Sequence, residues 1–290
     1  MPIKRKLIKI DTPAGQPGFL GAGHTAYPVI GRSFSESDPF IMLMDDVLDK
    51  KDDEPVGGPH PHAGFETVSF LLEGEIGDEA HKMRNGDFQI MTAGSGIVHT
   101  ETIDKVSRLR LLQLWLNLPK KDRQALPRVQ DLPSGHAPVF TGKGVTVKLY
   151  SGSLAGLTSP VKNFTPLILA DISMEAGVSN VQQIPANYNV FLYIIKGNVK
   201  VGGDTRQLSQ GQVGWLDLFN NTEESDLALT TGDEAVRFVL YGGKPTGEDI
   251  ISYGPFIADT NEDIHRLYRE YREGKMKHIS TVPEGQRILF

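Results

Sequence analysis

Short apolar runs separated by glycine and proline turns limit this chain's choice of fold more than any other feature. The runs are rich in β-branched and aromatic side chains, a composition typical of β-strands. The clearest runs span residues 67–72, 89–91, 109–116, 145–150 and 190–195. The 31 glycines and 18 prolines of the chain supply the turns between such runs. The sequence therefore predicts a mainly β fold, either a sandwich or a barrel.

Helical periodicity is convincing only near the C-terminus. There the segment 259–261 offers an N-cap, residues 262–272 follow with a helical pattern, and Gly274 is a stop signal. We predict one short helix in this region and a further helical turn near residues 117–123.

A weak internal repeat predicts two copies of one domain. In each copy a strand runs into a glycine, Gly74 in the first and Gly197 in the second. A second motif, a glycine followed by a polar residue and an apolar strand, starts at Gly86 and at Gly211. The nearly equal spacing in the two copies indicates duplication.

The natural linker between the two copies is the proline-rich, charged stretch of residues 118–138. We therefore predict an N-terminal domain of residues 1–135. A C-terminal domain of residues 136–290 would include the helix.

Composition excludes several classes of function. The formal net charge is −6 and no basic stripe is present, which disfavours direct nucleic-acid binding. The chain has no cysteine, so any metal must be held by histidine and carboxylate. We also expect no membrane span and a cytoplasmic location, because no run approaches the ~20 apolar residues that a span needs and no secretion signal is evident.

Two histidine-containing doublets indicate a metal site. His60 and His62 flank one residue, and His99 and Glu101 do the same. In an extended chain, residues i and i+2 point to the same face, about 6.5–7 Å apart. Two adjacent antiparallel strands could therefore direct three imidazoles and one carboxylate at a single ion.

Glu66 leaves the ligand count open. By strand parity it shares a face with His60 and His62, so it could replace Glu101 as a ligand, hydrogen-bond an imidazole or act as a base. It could equally be a polar residue at the start of a strand.

The ligand types predict one divalent transition metal per chain. Fe(II) is the leading choice, and Mn, Co, Ni, Cu and Zn also fit three imidazoles and a carboxylate. The set is too rich in nitrogen for Mg or Ca.

The other five histidines are isolated, and for each a surface or hydrogen-bonding role is expected. They are His24, His81, His136, His265 and His278. His81 could also lie near the mouth of the pocket.

The segments 57–74 and 86–101 closely resemble the signature of the pirin family within the cupin superfamily. Residues 38–45 and 254–260 are similar to further segments of that family. The resemblance implies a bicupin, in which two antiparallel β-barrel (jelly-roll) domains lie face to face and only the first binds metal.

The family's four metal ligands correspond to His60, His62, His99 and Glu101. In the second copy the positions that match His60, His62 and Glu66 hold Gln183, Pro185 and Asn189. That copy has therefore lost its ligands.

Members of the family are similar to quercetin 2,3-dioxygenases, which implies opening of a flavonol ring with O₂ and release of carbon monoxide. Glu101 or Glu66 could accept the flavonol proton. Five apolar residues are candidates for the pocket wall or for ordinary core: Phe40, Met42, Phe70, Met91 and Ile97. The alternative is a metal- and redox-sensing regulator that binds a transcription factor or a metabolic enzyme.

Overall fold

A computed structural model describes residues 2–77, 82–203 and 206–290. The strands of the first half are β1 (Ile3–Lys4), β2 (Leu7–Asp11), β3 (Gln16–Pro17), β4 (His24–Pro28), β5 (Phe40–Lys50), β6 (His60–His62), β7 (Phe65–Glu73), β8 (Glu75–Ile76), β9 (Met83–Arg84), β10 (Phe88–Thr92), β11 (Ile97–His99), β12 (Ser107–Asn117) and β13 (Arg128–Leu132).

The strands of the second half are β14 (Val139–Gly142), β15 (Val145–Ser151), β16 (Ser153–Leu154), β17 (Leu157–Thr158), β18 (Leu167–Met174), β19 (Ser179–Pro185), β20 (Asn189–Lys196), β21 (Asn198–Val201), β22 (Arg206–Ser209), β23 (Val213–Leu216), β24 (Glu224–Thr230), β25 (Val236–Gly243), β26 (Ile251–Tyr253), β27 (Phe256–Ala258) and β28 (Arg287–Leu289). The helices are α1 (Phe34–Ser37), α2 (Asn261–Arg272) and the 3-10 turns Lys120–Asp122, Ser134–His136, Ile279–Thr281 and Glu284–Gln286.

The two predicted helical segments are confirmed. Thr260 caps α2, because its side chain accepts a hydrogen bond of 3.1 Å from the Asp263 amide. The predicted turn near residues 117–123 is the 3-10 turn Lys120–Asp122. Among the residues that the structure describes, no helix is long and apolar enough to cross a membrane.

The strands form two large facing sheets, which confirms the mainly β prediction. The first has eight strands in the order β28-β13-β10-β7-β12-β5-β4-β3. The second has seven, in the order β14-β15-β18-β25-β20-β23-β2. A further sheet joins β1 to β19, β21, β22 and β24 of the second half, and β6 pairs with β11 in the first half. The sheets are jelly-roll-like, as predicted, although they are open sheets and not closed barrels.

The main apolar core lies between the eight-stranded and seven-stranded sheets. Phe70 of β7 packs on Tyr150 of β15, with ring centroids 4.6 Å apart. Phe40 of β5 packs on Phe191 of β20 at 5.1 Å. A polar contact crosses the same layer, where the Tyr193 hydroxyl donates to Asp45 at 2.7 Å. Burial of this apolar surface stabilises the face-to-face arrangement of the two halves.

The terminal strands cross between the halves. Strand β2 pairs with β23 of the seven-stranded sheet, and β28 pairs in parallel with β13 of the eight-stranded sheet. The boundary at residues 135 and 136 therefore stays a prediction, because β1 and β2 from the N-terminal end and β28 from the C-terminal end lie across it. The stretch 118–138 is also more than a linker, since it contains β13, which pairs with β10.

The internal repeat is visible in the two glycine turns. Gly74 and Gly197 have φ of +90° and +75°, a region that favours glycine. A Cβ atom at Gly74 would lie 2.2 Å from the Arg108 carbonyl oxygen, and one at Gly197 would lie 2.1 Å from that of Ala235. The same close backbone approach recurs at both sites, as expected of two copies of one domain.

Candidate metal centre

The two histidine doublets come together on a short antiparallel strand pair. In the register of β6 and β11, His60 lies opposite His99 and His62 lies opposite Ile97. The prediction that two adjacent antiparallel strands bring the histidines together agrees with this pairing. Pro61 lies between the two histidines and faces Val98 in that register. Because this sheet has only two strands, Pro61 can occupy an edge position, where proline is tolerated.

Three imidazoles converge at this point. One ring nitrogen each from His60, His62 and His99 lies within 4.8 Å of the others. The ring centroids are 4.2 Å apart for His60 and His99 and 4.9 Å apart for His62 and His99. This is the only such metal-ligating group found in residues 2–77, 82–203 and 206–290.

The ring nitrogens are left free to bind a cation. His60 Nδ1 donates to the Gly58 carbonyl at 2.9 Å, which leaves Nε2 with a lone pair. The Nε2 atoms of His62 and His99 are buried and have no hydrogen-bond partner within the described chain. Buried polar atoms without partners are costly, and a bound metal ion would satisfy these.

The protonation of the histidines suits metal binding. Burial, together with a smaller effect of His60, lowers the pKa of His62 to about 3, although the Pro255 carbonyl opposes the shift. Burial also lowers the pKa of His99 well below its ordinary value, and the neighbouring histidines add to this effect. Both rings are therefore neutral at pH 7, which is the form that ligates a metal.

Glu101 completes the group from just beyond β11. Its Oε2 lies 3.8 Å from His60 Nε2, and its Oε1 accepts a hydrogen bond of 2.9 Å from Gln113. Burial raises the pKa of the Glu101 carboxyl, and the nearby His60 opposes that shift. Asp46 raises this pKa further, whereas the hydrogen bond from Gln113 lowers it.

Glu66 does not share the face of the histidines, contrary to the strand-parity prediction. The Phe65 ring packs on His62 at 5.2 Å, so the next residue in β7 points to the other side of the sheet. There Glu66 accepts a hydrogen bond of 2.7 Å from Thr92 and lies 3.9 Å from Arg128.

A glycine accounts for this reversal of parity. Gly64, with φ +85°, separates β6 from β7 and puts the two strands in different sheets. The alternation that relates His60 to His62 therefore does not continue to Glu66. Burial raises the pKa of Glu66 to about 7, against the opposing effects of Thr92 and Arg128.

The five apolar candidates divide between the two faces. Phe40 and Phe70 belong to the core between the sheets, so the interpretation of them as pocket walls is wrong. Ile97 lies opposite His62 on the strand pair. Met91 and Met42 lie in one cross-strand row with Trp115, whose ring packs on His62 at 5.2 Å.

The C-terminal segment supplies neighbours of the centre that sequence reasoning missed. Pro255, in the turn between β26 and β27, brings its carbonyl to His62. His278 lies beside β11. Its Nε2 is 2.8 Å from the Thr100 hydroxyl, and the Val98 amide of β11 donates a hydrogen bond to the Lys277 carbonyl. Nothing in the local sequence places residues this distant beside residues 60–101; the similarity of residues 254–260 to a family segment is the one available signal.

Three of the isolated histidines have the hydrogen-bonding roles expected of them, and one of these is His136, whose Nδ1 donates to the Phe290 carbonyl. His24 is buried, accepts from the Leu20 amide through Nδ1 and contacts Asp46 through Nε2 at 2.9 Å. His278 accepts from the Ser280 amide. His81 lies outside the described residues, so its relation to the pocket mouth is open.

The openings beside the centre are narrow. One of about 20 Å³ is lined by His99, Glu101 and Ile279, among others. Another of about 10 Å³ lies between Glu101, Asp46 and Phe19. A wider groove, about 1190 Å³ between β26 and α2, is lined by none of the clustered residues. We place the candidate metal centre where the ligand atoms converge, because the size of a groove does not show which ion or reaction it could support.

Comparison with known proteins decides the family. Residues 25–116 match the family model described as Pirin, and residues 169–277 match that described as Pirin C-terminal cupin domain. The pirin of Mus musculus is 36% identical over 275 residues, which covers 88% of this chain and 89% of the mouse protein. The chain belongs to the pirin family. A pirin-like protein of Solanum lycopersicum is 35% identical over 271 residues, covering 88% of each chain.

Solved structures agree with membership of the pirin family. A Geobacillus kaustophilus protein is 33% identical, with a TM-score of 0.77 and coverage of 86% of this chain and 100% of its own. A quercetin 2,3-dioxygenase from Acinetobacter baumannii is 25% identical, with a TM-score of 0.81 and coverage of 96% and 99%. The two-domain cupin architecture expected of a pirin is thus shared along nearly the whole chain.

Proposed function

We propose that this pirin is a metal-dependent dioxygenase that opens the central ring of a flavonol with O₂. The observation that carries the proposal is the convergence of three imidazoles with Glu101 beside them. The likeness to a quercetin 2,3-dioxygenase over 96% of the chain supports the choice of substrate class.

His60, His62, His99 and Glu101 would hold one divalent transition metal ion. Their nitrogen-rich set favours Fe(II) and also fits Mn, Co, Ni, Cu or Zn. Such an ion supplies Lewis-acid chemistry, since it lowers the pKa of a bound hydroxyl and binds electron-rich oxygen compounds.

The protein's own groups bind and deprotonate the substrate. Glu101, whose Oε2 lies on the side of the histidines, would accept the proton of the flavonol hydroxyl. Trp115 and Met42 lie on the same side of the sheet as the histidines and provide apolar surface for the rings. A flavonol is larger than the 20 Å³ opening, so lining side chains such as Met83 and Ile279 must move to admit it.

The test is anaerobic reconstitution with Fe(II), followed by addition of quercetin and then air. We expect loss of flavonol absorbance together with carbon monoxide release. His60→Ala should remove both the metal and this turnover. The matched control, His265→Ala on α2, should retain both, because His265 is outside the clustered group.

A regulatory role is the competing hypothesis, and the same experiment separates the two. A protein that binds the metal tightly but turns over no flavonol with any of the six metals would contradict the dioxygenase proposal. That result would favour a metal-sensing regulator that acts through a protein partner.

A further inference from the structure

Gln113 lies beneath the candidate centre in the middle of the eight-stranded sheet. It belongs to β12 and aligns with Ser69 of β7, which in turn aligns with Gln89 of β10. Its side chain is 9% exposed, so its amide needs an internal partner. That partner is Glu101, whose Oε1 accepts from Gln113 Nε2 at 2.9 Å.

The main chain alone does not fix the Glu101 carboxylate. Glu101 lies beyond the end of β11, and its backbone is held by one hydrogen bond of 3.0 Å from its amide to the Gly57 carbonyl. Rotation about the Glu101 side-chain bonds could still turn the carboxylate away from the histidines. The hydrogen bond to Gln113 engages Oε1, and Oε2 is then the oxygen 3.8 Å from His60 Nε2.

A second acidic side chain, Asp46, lies near Glu101. Asp46 is close enough to act on the Glu101 carboxyl, and it is itself held by His24 at 2.9 Å. Like charges repel, so a free Glu101 side chain would turn away from Asp46. A buried amide that donates to Oε1 counters this repulsion without adding a charge of its own.

We infer that Gln113 is a positioning residue that engages one carboxylate oxygen of Glu101 and so keeps the other oxygen facing the three histidines. This inference rests on the proposed function, because it assigns Gln113 a role toward the metal that those residues would bind. Outer partners of this kind orient metal ligands, and their loss typically weakens metal affinity or activity about 10- to 100-fold.

The experiment compares Gln113→Met with the wild type after loading with Co(II), whose visible spectrum reports its ligands. Methionine keeps the volume of glutamine and removes the donor. We expect an altered Co(II) spectrum, a Kd for Co(II) raised about 10- to 100-fold, and a lower kcat with little change in KM. Gln113→Asn keeps the amide but shortens its reach, and it should give the same changes if methionine disturbs folding.

Gln89→Met is the matched control. Gln89 occupies the same cross-strand row, but its amide donates to Asp131 at 2.7 Å and not to Glu101. It should preserve the Co(II) spectrum and affinity of the wild type, and thermal melts should show that all variants are folded.

The outcomes distinguish this inference from the proposed function. If Gln113→Met keeps the wild-type Co(II) spectrum and Kd, the positioning role is wrong although the metal site stands. If the wild type binds Co(II) but cleaves no flavonol, the proposed reaction fails, and the spectrum and Kd still decide the role of Gln113. A wild type that binds no Co(II) overturns both.

Discussion

Glu66 accepts a hydrogen bond of 2.7 Å from the Thr92 hydroxyl, on the face of β7 opposite to the one that packs on His62. The two acidic residues near the centre therefore have different surroundings. Glu101 faces the histidines, whereas Glu66 is buried at the layer between the two large sheets.

The first prediction separates these two residues by metal content. Glu101→Gln should lower the amount of Fe(II) retained after dialysis, because the amide provides no negative charge beside His60. Glu66→Gln should retain the wild-type amount, since its side chain lies on the other face. Metal analysis of the folded variants checks this, and equal losses in both would contradict the assignment.

The second prediction concerns the pH dependence of stability. The pKa of Glu66 is about 7 in the folded protein and near 4.5 when unfolded. The folded state therefore binds more protons between these values, and stability falls as pH rises from about 4.5 to 7. Relative to Glu66→Gln, the wild type should lose about 3 kcal/mol of unfolding free energy across this range.

Chemical denaturation of the metal-free wild type and Glu66→Gln at several pH values measures this difference. His62 and His99 also titrate differently on unfolding, with the opposite sign, but both variants carry them and their contribution cancels. Parallel stability curves for the two proteins would show that Glu66 does not hold its proton.

The third prediction concerns Gly64, which joins the two strands beside the centre. A Cβ atom there would lie 1.9 Å from the Ile257 carbonyl oxygen, and φ is +85°. Gly64→Ala should lower the free energy of unfolding by more than about 3 kcal/mol, because backbone strain and a clash add together. It should also weaken Fe(II) binding, since β27 must move away from His62.

Gly21→Ala provides the matched control for this substitution. Gly21 has the same φ of +85°, and an added Cβ would meet nothing within 4 Å. It should cost only about 1 kcal/mol, from backbone strain alone. Similar losses in the two variants, measured by urea denaturation, would rule out the clash with β27.

The fourth prediction tests how the N-terminus is held. Arg5 is fully buried and donates to the carbonyls of Pro185, Ala186 and Tyr188 at 2.8–3.0 Å. Arg5→Met should destabilise the protein by about 3 kcal/mol, because several buried acceptors lose their donor. Lys4→Met, an exposed neighbour, should change stability by no more than about 0.5 kcal/mol. Calorimetric melts of the two variants compare them directly, and equal effects would contradict this account.

Local sequence patterns determined much of this protein. The runs at residues 67–72 and 190–195 became β7 and β20, which are buried on both faces. Short, mostly apolar runs rich in β-branched and aromatic residues favour such buried strands. The cap at Thr260 marked the start of α2 through short-range hydrogen bonding. The spacing of His60, His62 and His99 indicated a shared site, since residues i and i+2 of a strand point the same way.

Only the tertiary structure decided the surroundings of that site. A single left-handed glycine, Gly64, reversed strand parity, so Glu66 faces the core between the sheets while Glu101 faces the histidines. The crossing of β2 and β28 between the halves, and the approach of Pro255 and His278 to the centre, depend on contacts between residues far apart in the chain. Such contacts follow from how whole sheets pack, and no local pattern of spacing or hydropathy encodes them.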